Sequence, residues 1–264
     1  MDVSIEVTAR ERDVGARLRD LFPRGMRVHV TFLPGDTLGS AQAACIAVAR
    51  AGFEAVPHLT ARNFTTEDAL AQHLARLSGE AGVKRALAIG GDVAEPRGPF
   101  SSSRDVLKTG LLARYGIGHI LIAGYPEGHP SVPGDALDAA LREKLVLLPD
   151  AEIVTQFCFE AAPVADWIQR QRAAGIAAPV RIGIAGPASM ATLLRLAQRC
   201  GIGNSMRALR RHGVSLLDAK PDDLLRDLGQ RMRIDAIHLY TFGGLRKAAF
   251  WLESVRSFAQ SPRR

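Results

Sequence analysis

Apolar and polar positions alternate along this chain in short bursts, and longer helix-spaced stretches separate the bursts. Val3–Thr8 (VSIEVT), Arg27–Leu33 (RVHVTFL), Glu54–Thr60 (EAVPHLT) and Arg85–Asp92 (RALAIGGD) read as strands one to four. His119–Tyr125, Glu152–Phe159 (EIVTQFCF), Val180–Ala185 (VRIGIA) and Asp235–Phe242 (DAIHLYTF) read as strands five to eight. Pro57 inside the third run predicts an irregular strand end, because proline cannot donate to a ladder.

Helices are predicted between the strands. They cover Arg10–Phe22, Gly39–Ala51, a segment with Leu70, Leu74 and Leu77 at helical spacing behind a Thr65 or Thr66 cap, Arg104–Arg114 and Asp135–Leu147. Three more carry Val164, Trp167 and Ile168; Ser189–Arg199; and Ala248, Trp251, Leu252 and Val255. Between Gly201 and Met232 the alternation pauses for an inserted group of short helices, with Pro221 at a first-turn position, and the tail Ser261–Arg264 is expected to be loose.

Eight strand–helix units without a hairpin signal or a linker predict a parallel sheet. With no obvious edge strand, the sheet is expected to close into a single-domain α/β architecture, a TIM (β/α)8 barrel over residues 1–264 with extra helices before the last strand. An open doubly wound sheet is the alternative. It normally carries a glycine-rich turn after its first strand, and Thr8-Ala9-Arg10-Glu11-Arg12 is not one.

The 264 residues suffice for one such core, and 47% hydrophobic with 23% charged residues is ordinary for a globular protein. No apolar run is long enough to span a bilayer, and the first residues lack a signal-peptide core, so no membrane association and a cytoplasmic location are expected. The net charge of +7 is spread out rather than massed, which argues against nucleic acid and suits an anionic small molecule. Cys45, Cys158 and Cys200 show no metal-ligand spacing and are read as reduced apolar residues.

A closed barrel presents ligands to the C-terminal ends of its strands. The candidates there are Glu6, Thr31, His58, Thr60, Asp92, Tyr125, His129, Thr155, Gln156, Tyr240 and Thr241. Glu6 and Asp92 from separate strands suit acid–base chemistry if their surroundings separate their pKa values, with helix capping or ion pairing as the alternative. His58 and His129 read as catalytic or as packing residues, and no ligand spacing calls for a metal. Gly90-Gly91 permits close backbone approach to a ligand, and Tyr125 either stacks on a flat ring or packs. These residues alone do not name a reaction.

The motifs carry more. Ile122-Ala-Gly-Tyr-Pro-Glu-Gly-His-Pro130 resembles the AAYPExHP segment of methylenetetrahydrofolate reductases, and Glu152–Glu160 (EIVTQFCFE) resembles their ITQFFFD segment. Pro57–Thr60 (PHLT), Gly90–Asp92 (GGD) and Ser4–Ala9 (SIEVTA) fall in the order of that family's PHLT, RGD and SFEFFPP stretches. The resemblance implies a TIM barrel that reduces 5,10-methylenetetrahydrofolate to 5-methyltetrahydrofolate in one-carbon metabolism. FAD is the implied cofactor, reduced by NADH or NADPH in ping-pong fashion.

It further implies that Glu6 protonates the leaving nitrogen as the folate opens to an iminium cation, that Asp92 lies beside flavin and pterin, and that Gln156 binds the substrate ring. Thr31, His58, Gly90, Gly91, Ser102, Ser103, Tyr125, His129, Asp138 and Lys144 match cofactor contacts, and Thr192 and Arg246 match substrate positions. Gly90 replaces the family's arginine, VTAR replaces FFPP, PGDT at 34–37 replaces a glycine-serine loop, and Thr192 replaces a glutamine. Rival readings are flavin-free hydride transfer on the same fold, a non-catalytic folate- or flavin-binding subunit, and an unrelated metal-dependent barrel hydrolase. A homo-oligomer is a possible state of assembly.

Overall fold

The computed structural model describes residues 1–199 and 221–260, with no account of side chains at 190, 197–199 and 256–260. Eight parallel strands close into a barrel in sequence order: β1 (Asp2–Thr8), β2 (Arg27–Thr31), β3 (Glu54–Thr60), β4 (Arg85–Ile89), β5 (His119–Gly124), β6 (Glu152–Cys158), β7 (Val180–Ala185) and β8 (Ala236–Tyr240). β8 pairs with β1 through Asp2–Ala236 to Ile5–Leu239, which leaves no edge. The closed parallel barrel expected from the pattern is what forms.

Around it lie α1 (Val14–Leu21), α2 (Leu38–Arg50), α3 (Glu67–Ala81), α4 (Ser103–Lys108), α5 (Leu111–Arg114) and α6 (Gly134–Leu147). α7 (Ala161–Ala173), α8 (Met190–Arg199), α9 (Pro221–Arg231) and α10 (Leu245–Gln260) follow. Pro221 takes the first helical position of α9, as the missing N–H of proline allows. The remainder of the expected insertion, the Gly201–Asn204 stretch, Cys200 and the 261–264 tail lie outside the described residues.

Local chemistry sets the helix ends. Thr37 Oγ1 accepts from Ser40 N at 3.1 Å while Ser40 Oγ accepts from Thr37 N, starting α2. Thr66 Oγ1 accepts from Ala69 N to start α3, and Gly82, left-handed at φ 59, ends it. Leu70, Leu74 and Leu77 of α3 are fully buried against the barrel.

Some details differ from the pattern. α1 starts at Val14 rather than Arg10, because Asp13 is left-handed at φ 50 and the Arg10 side chain is drawn to Asp36. The expected Arg104–Arg114 helix is two pieces broken at Gly110, φ 71. Pro57 does not disturb β3. Its missing N–H falls where the pairing of β3 passes from β2 to β4.

Outward side chains such as Ile5, Val7, Val28, Val30, Ile122 and Ile153 pack under the helices in one continuous core. The barrel interior is divided. Val56, Leu87, Leu121 and Val154, with Ile89, fill the β3–β6 side. Ser4, Glu6, His29, Arg181 and His238 occupy the other side, and Ser4, His29, Arg181 and His238 are at most 1% exposed. The floor is closed by charge. Arg27 pairs with Asp2 (2.7 Å) and Glu54 (3.2 Å), Arg85 with Glu54 (2.9 Å), and Arg181 with Asp2 (2.7 Å) and Glu152 (2.9 Å). These pairs run from β4 through β3, β2 and β1 to β7 and β6, so each acid compensates an arginine of a neighbouring or nearby strand.

Candidate active site

The C-terminal ends of the strands open onto a cavity of about 780 Å³, whose lining includes Gly91, Asp92, Tyr125, His129, Gln156 and Tyr240. β4 ends at Ile89, so Gly90, Gly91 and Asp92 form the loop beyond it rather than continuing the strand. Arg62, in the turn after β3, holds that loop in place. Its guanidinium donates to the carbonyls of Ser101 (2.8 Å), Val93 (3.3 Å) and Ala94 (3.4 Å), and its backbone N–H donates to Gly90 O. Tyr125 and His129 meet edge to face with ring centroids 5.4 Å apart.

β6 carries a register shift between Val154 and Phe157. Thr155 sits inside this irregularity, where its Oγ1 accepts from Gly183 N at 2.8 Å and its carbonyl accepts from Tyr240 Oη at 3.0 Å. Thr155 is therefore buried structure and not a mouth residue, and the bulge delivers Gln156 to the cavity. Gln156 Oε1 accepts from Glu127 N at 3.1 Å. That bond orients the amide and leaves its NH2 group as a donor for a ligand.

Glu6 lies among the polar interior side chains. Its side chain is 12% exposed, and His238 Nε2 stands 3.6 Å from its Oε2. Burial raises the Glu6 carboxyl from 4.5 to about 7, with His58 opposing the rise. Burial also lowers His58 to about 4 and His238 to about 3, so both imidazoles are neutral near pH 7 while Glu6 is close to half protonated. Glu6 is thus a carboxyl able to give or take a proton near neutrality, set among neutral rings.

Several polar atoms around this point meet no protein partner. They are Thr31 Oγ1, Thr60 Oγ1, His58 Nε2 and both ring nitrogens of His29, all on β2 and β3. Beside them Gly91 has φ +96, and a Cβ there would come within 3.1 Å of Thr60 Cβ and Asn63 Oδ1. Unpaired buried donors and acceptors next to a backbone cradle at Gly91, which lines the cavity, fit a ligand with a flat, hydrogen-bonding ring.

Other sequence candidates lie away from the cavity lining. Ser101 and Ser102 direct their N–H and hydroxyl groups onto Asp105 at 2.8–3.2 Å, and Ser103 is buried in α4. Asp138 accepts from Gln171 Nε2 at 2.9 Å, tying α6 to α7. Lys144 is lowered by burial on the same helix. Thr192 exchanges a hydrogen bond with Ser189 at the start of α8, and Arg246 is exposed in the first turn of α10. Among the described residues no group of His, Cys, Asp and Glu is arranged to hold a metal ion, and no helix is long and apolar enough to cross a membrane.

Sequence reading missed Ser4, His29, Arg181 and His238. Period-two alternation from Glu6, Thr31 and Tyr240 points to Ser4, His29 and His238, since residues two apart on a strand share a face.

The family model for methylenetetrahydrofolate reductase matches residues 14–242. The chain belongs to the methylenetetrahydrofolate reductase family. It is 30% identical over 203 residues to "Methylenetetrahydrofolate reductase 2" of Saccharomyces cerevisiae, covering 70% of this chain and 31% of that protein. It is 27% identical over 240 residues to "Methylenetetrahydrofolate reductase 1" of Schizosaccharomyces pombe, covering 86% of this chain and 38% of that protein. The chain thus spans about a third of the length of these relatives. The family match begins after β1, so the case for Glu6 rests on its geometry.

Two departures from the methylenetetrahydrofolate reductase motifs meet in space. Arg10 of the VTAR stretch donates to Asp36 Oδ1 of the PGDT loop at 2.6 Å and to the Pro34 carbonyl at 2.5 Å, while Asp36 Oδ2 accepts from Leu33 N. The first two mouth loops are clamped together, and Pro34 lines the cavity.

Proposed function

We propose that this barrel reduces 5,10-methylenetetrahydrofolate to 5-methyltetrahydrofolate with NADH or NADPH, using FAD bound at the mouth. The observation that carries the reading is Glu6, a buried carboxyl raised to about 7 in the interior of a barrel whose mouth cavity is lined by Asp92, Tyr125, His129 and Gln156. Family membership supports the reaction class.

When bound, the flavin supplies a ring that accepts a hydride from nicotinamide and passes one to folate. The chain's own residues supply binding and proton control. Thr31, His58 and Thr60 offer the polar atoms that lack protein partners, and Gly91 lets the backbone approach. Tyr125 and His129 form one aromatic wall. Gln156 presents its NH2 to a pterin acceptor, its oxygen being held by Glu127 N. Asp92 places negative charge at the mouth, where it stabilises positive charge developing on the one-carbon unit.

Glu6 gives its proton to the folate nitrogen that leaves when the five-membered ring opens. A carboxyl of ordinary pKa would be almost wholly ionised at pH 7 and a poor acid there. Asp138, Lys144, Ser102, Ser103, Thr192 and Arg246 lie outside the lining of this cavity, and the reading does not rest on them.

The test begins with the absorption spectrum of the protein titrated with FAD, followed by folate-dependent NADH or NADPH oxidation. The expected result is a bound-flavin band and formation of 5-methyltetrahydrofolate. Glu6→Gln is expected to preserve flavin reduction by nicotinamide and to slow the folate half-reaction by about 100-fold or more. Failure to bind flavin, or equal slowing of both half-reactions, refutes the assignment.

A further inference from the structure

The polar side of the barrel is a connected series from the floor to Glu6. Arg181 on β7 is anchored below by Asp2 (2.7 Å) and Glu152 (2.9 Å). Its Nη1 donates upward to Ile237 O at 3.2 Å and to Ser4 Oγ at 3.4 Å. Ser4 Oγ stands 2.9 Å from His238 Nδ1 and 3.4 Å from Ile237 O. His238 Nε2 faces Glu6 Oε2 at 3.6 Å.

We propose that Ser4, oriented by Arg181, locks His238 in the tautomer that carries its proton on Nε2, and that this N–H makes His238 a positioning residue that lowers the proton affinity burial gives Glu6.

The argument is one of donors and acceptors. The guanidinium has only donors, so toward it Ser4 Oγ acts as an acceptor. The Ser4 hydrogen then has two possible acceptors, and the nearer is His238 Nδ1. Ile237 O is farther away and already receives Arg181. With Nδ1 accepting, the single proton of the neutral ring belongs on Nε2, against the carboxyl. Burial and the Arg181 charge keep that ring neutral. At 3.6 Å the contact is longer than a hydrogen bond, but the N–H dipole still favours a carboxylate over a carboxylic acid. The opposite tautomer would turn a lone pair toward Glu6 and favour the protonated acid.

The other groups around Glu6 are accounted for. His29 on β2 lies beside it in register, and its ring centroid is 4.3 Å from that of His238. His58 on β3 faces Glu6, and both of these rings are held neutral by burial. Arg181 and Glu152 lie toward the floor, and Asp2 and Arg27 lie at the floor rim. The strand pair β4–β5 contributes only apolar side chains to the interior cluster.

The inference rests on the proposed acid role of Glu6, but its test does not require catalysis. With ¹⁵N-labelled histidine, the ring nitrogens of His238 are expected to report the Nε2–H tautomer in the wild-type protein. With ¹³C-labelled glutamate, the Glu6 carboxyl is expected to titrate about one pH unit higher in Ser4→Ala than in wild type, and Ser4→Thr, which keeps a hydroxyl, is expected to restore the wild-type value. An Nδ1–H tautomer in the wild type overturns the proposal even if Ser4→Ala does not fold. So does a Glu6 titration that Ser4→Ala leaves in place. A protein that shows the lock but never turns over folate would refute the proposed function and leave this inference standing.

Discussion

Replacing Glu6 by glutamine has a stability consequence that follows from burial. The carboxyl titrates at about 7 in the folded barrel against 4.5 for an ordinary glutamate. A raised folded-state pKa means that the protonated acid is tolerated and the anion is not. The Glu6 contribution to stability is therefore fully present below pH 4.5 and is lost as pH rises through 7. At 1.36 kcal/mol per pH unit, the full difference is about 3 kcal/mol. The buried histidines act in the opposite sense. His58, His73 and His238 are lowered to about 4, 4 and 3, so their contribution is present above 6.5 and is lost as pH falls through 4. A wild-type curve alone mixes these effects, and the difference between Glu6→Gln and wild type isolates Glu6. Urea unfolding at a series of pH values from 4 to 8 is expected to show the variant gaining about 3 kcal/mol on wild type as pH rises. A difference that stays constant across that range would show that the Glu6 carboxyl is not held high, and the acid role would lose its physical basis.

Three further substitutions probe the same region. His29→Leu removes two ring nitrogens that have no protein partner, so unfolding free energy is expected to stay level or rise by about 1 kcal/mol; a loss above about 2 kcal/mol would show that His29 is bonded to something essential. Arg181→Met strips the buried cation from Glu152 and Asp2 and is expected to cost about 3 kcal/mol or more in urea unfolding, with a cost below about 1 kcal/mol contradicting the floor's role in closure. Gly91→Ala forces a side chain into φ +96 against Thr60, so a stability loss of about 1–3 kcal/mol is expected together with weaker FAD binding; unchanged values of both would remove Gly91 from the cradle.

The barrel was legible in the sequence because its signals are local and repeated. Leu70, Leu74 and Leu77 mark one face of α3, and Ile5 and Val7 alternate with Ser4 and Glu6 along β1. Helix starts were harder, since Arg10 leaves α1 for an acid 26 residues away and nothing local announces that choice. The mouth residues Asp92, Tyr125, His129 and Gln156 were legible as motifs and do converge on one cavity. The interior array of Ser4, His29, Arg181 and His238 was not, because each residue looks unremarkable within its own strand. Only closure of the sheet, which brings β7, β8, β1 and β2 side by side, gives the four a common environment. Thr155 shows the reverse error, a strand-end polar residue that a bulge consumes internally.

The pH dependence of the folate half-reaction tests the central claim most directly. The FAD-loaded protein is reduced without oxygen and mixed with 5,10-methylenetetrahydrofolate while flavin reoxidation is followed. The rate is expected to fall as pH rises through about 7, as Glu6 loses its proton, and that dependence is expected to vanish in Glu6→Gln. A wild-type rate that is flat across that range, or one whose pH dependence survives in Glu6→Gln, would contradict the assignment of Glu6 as the acid.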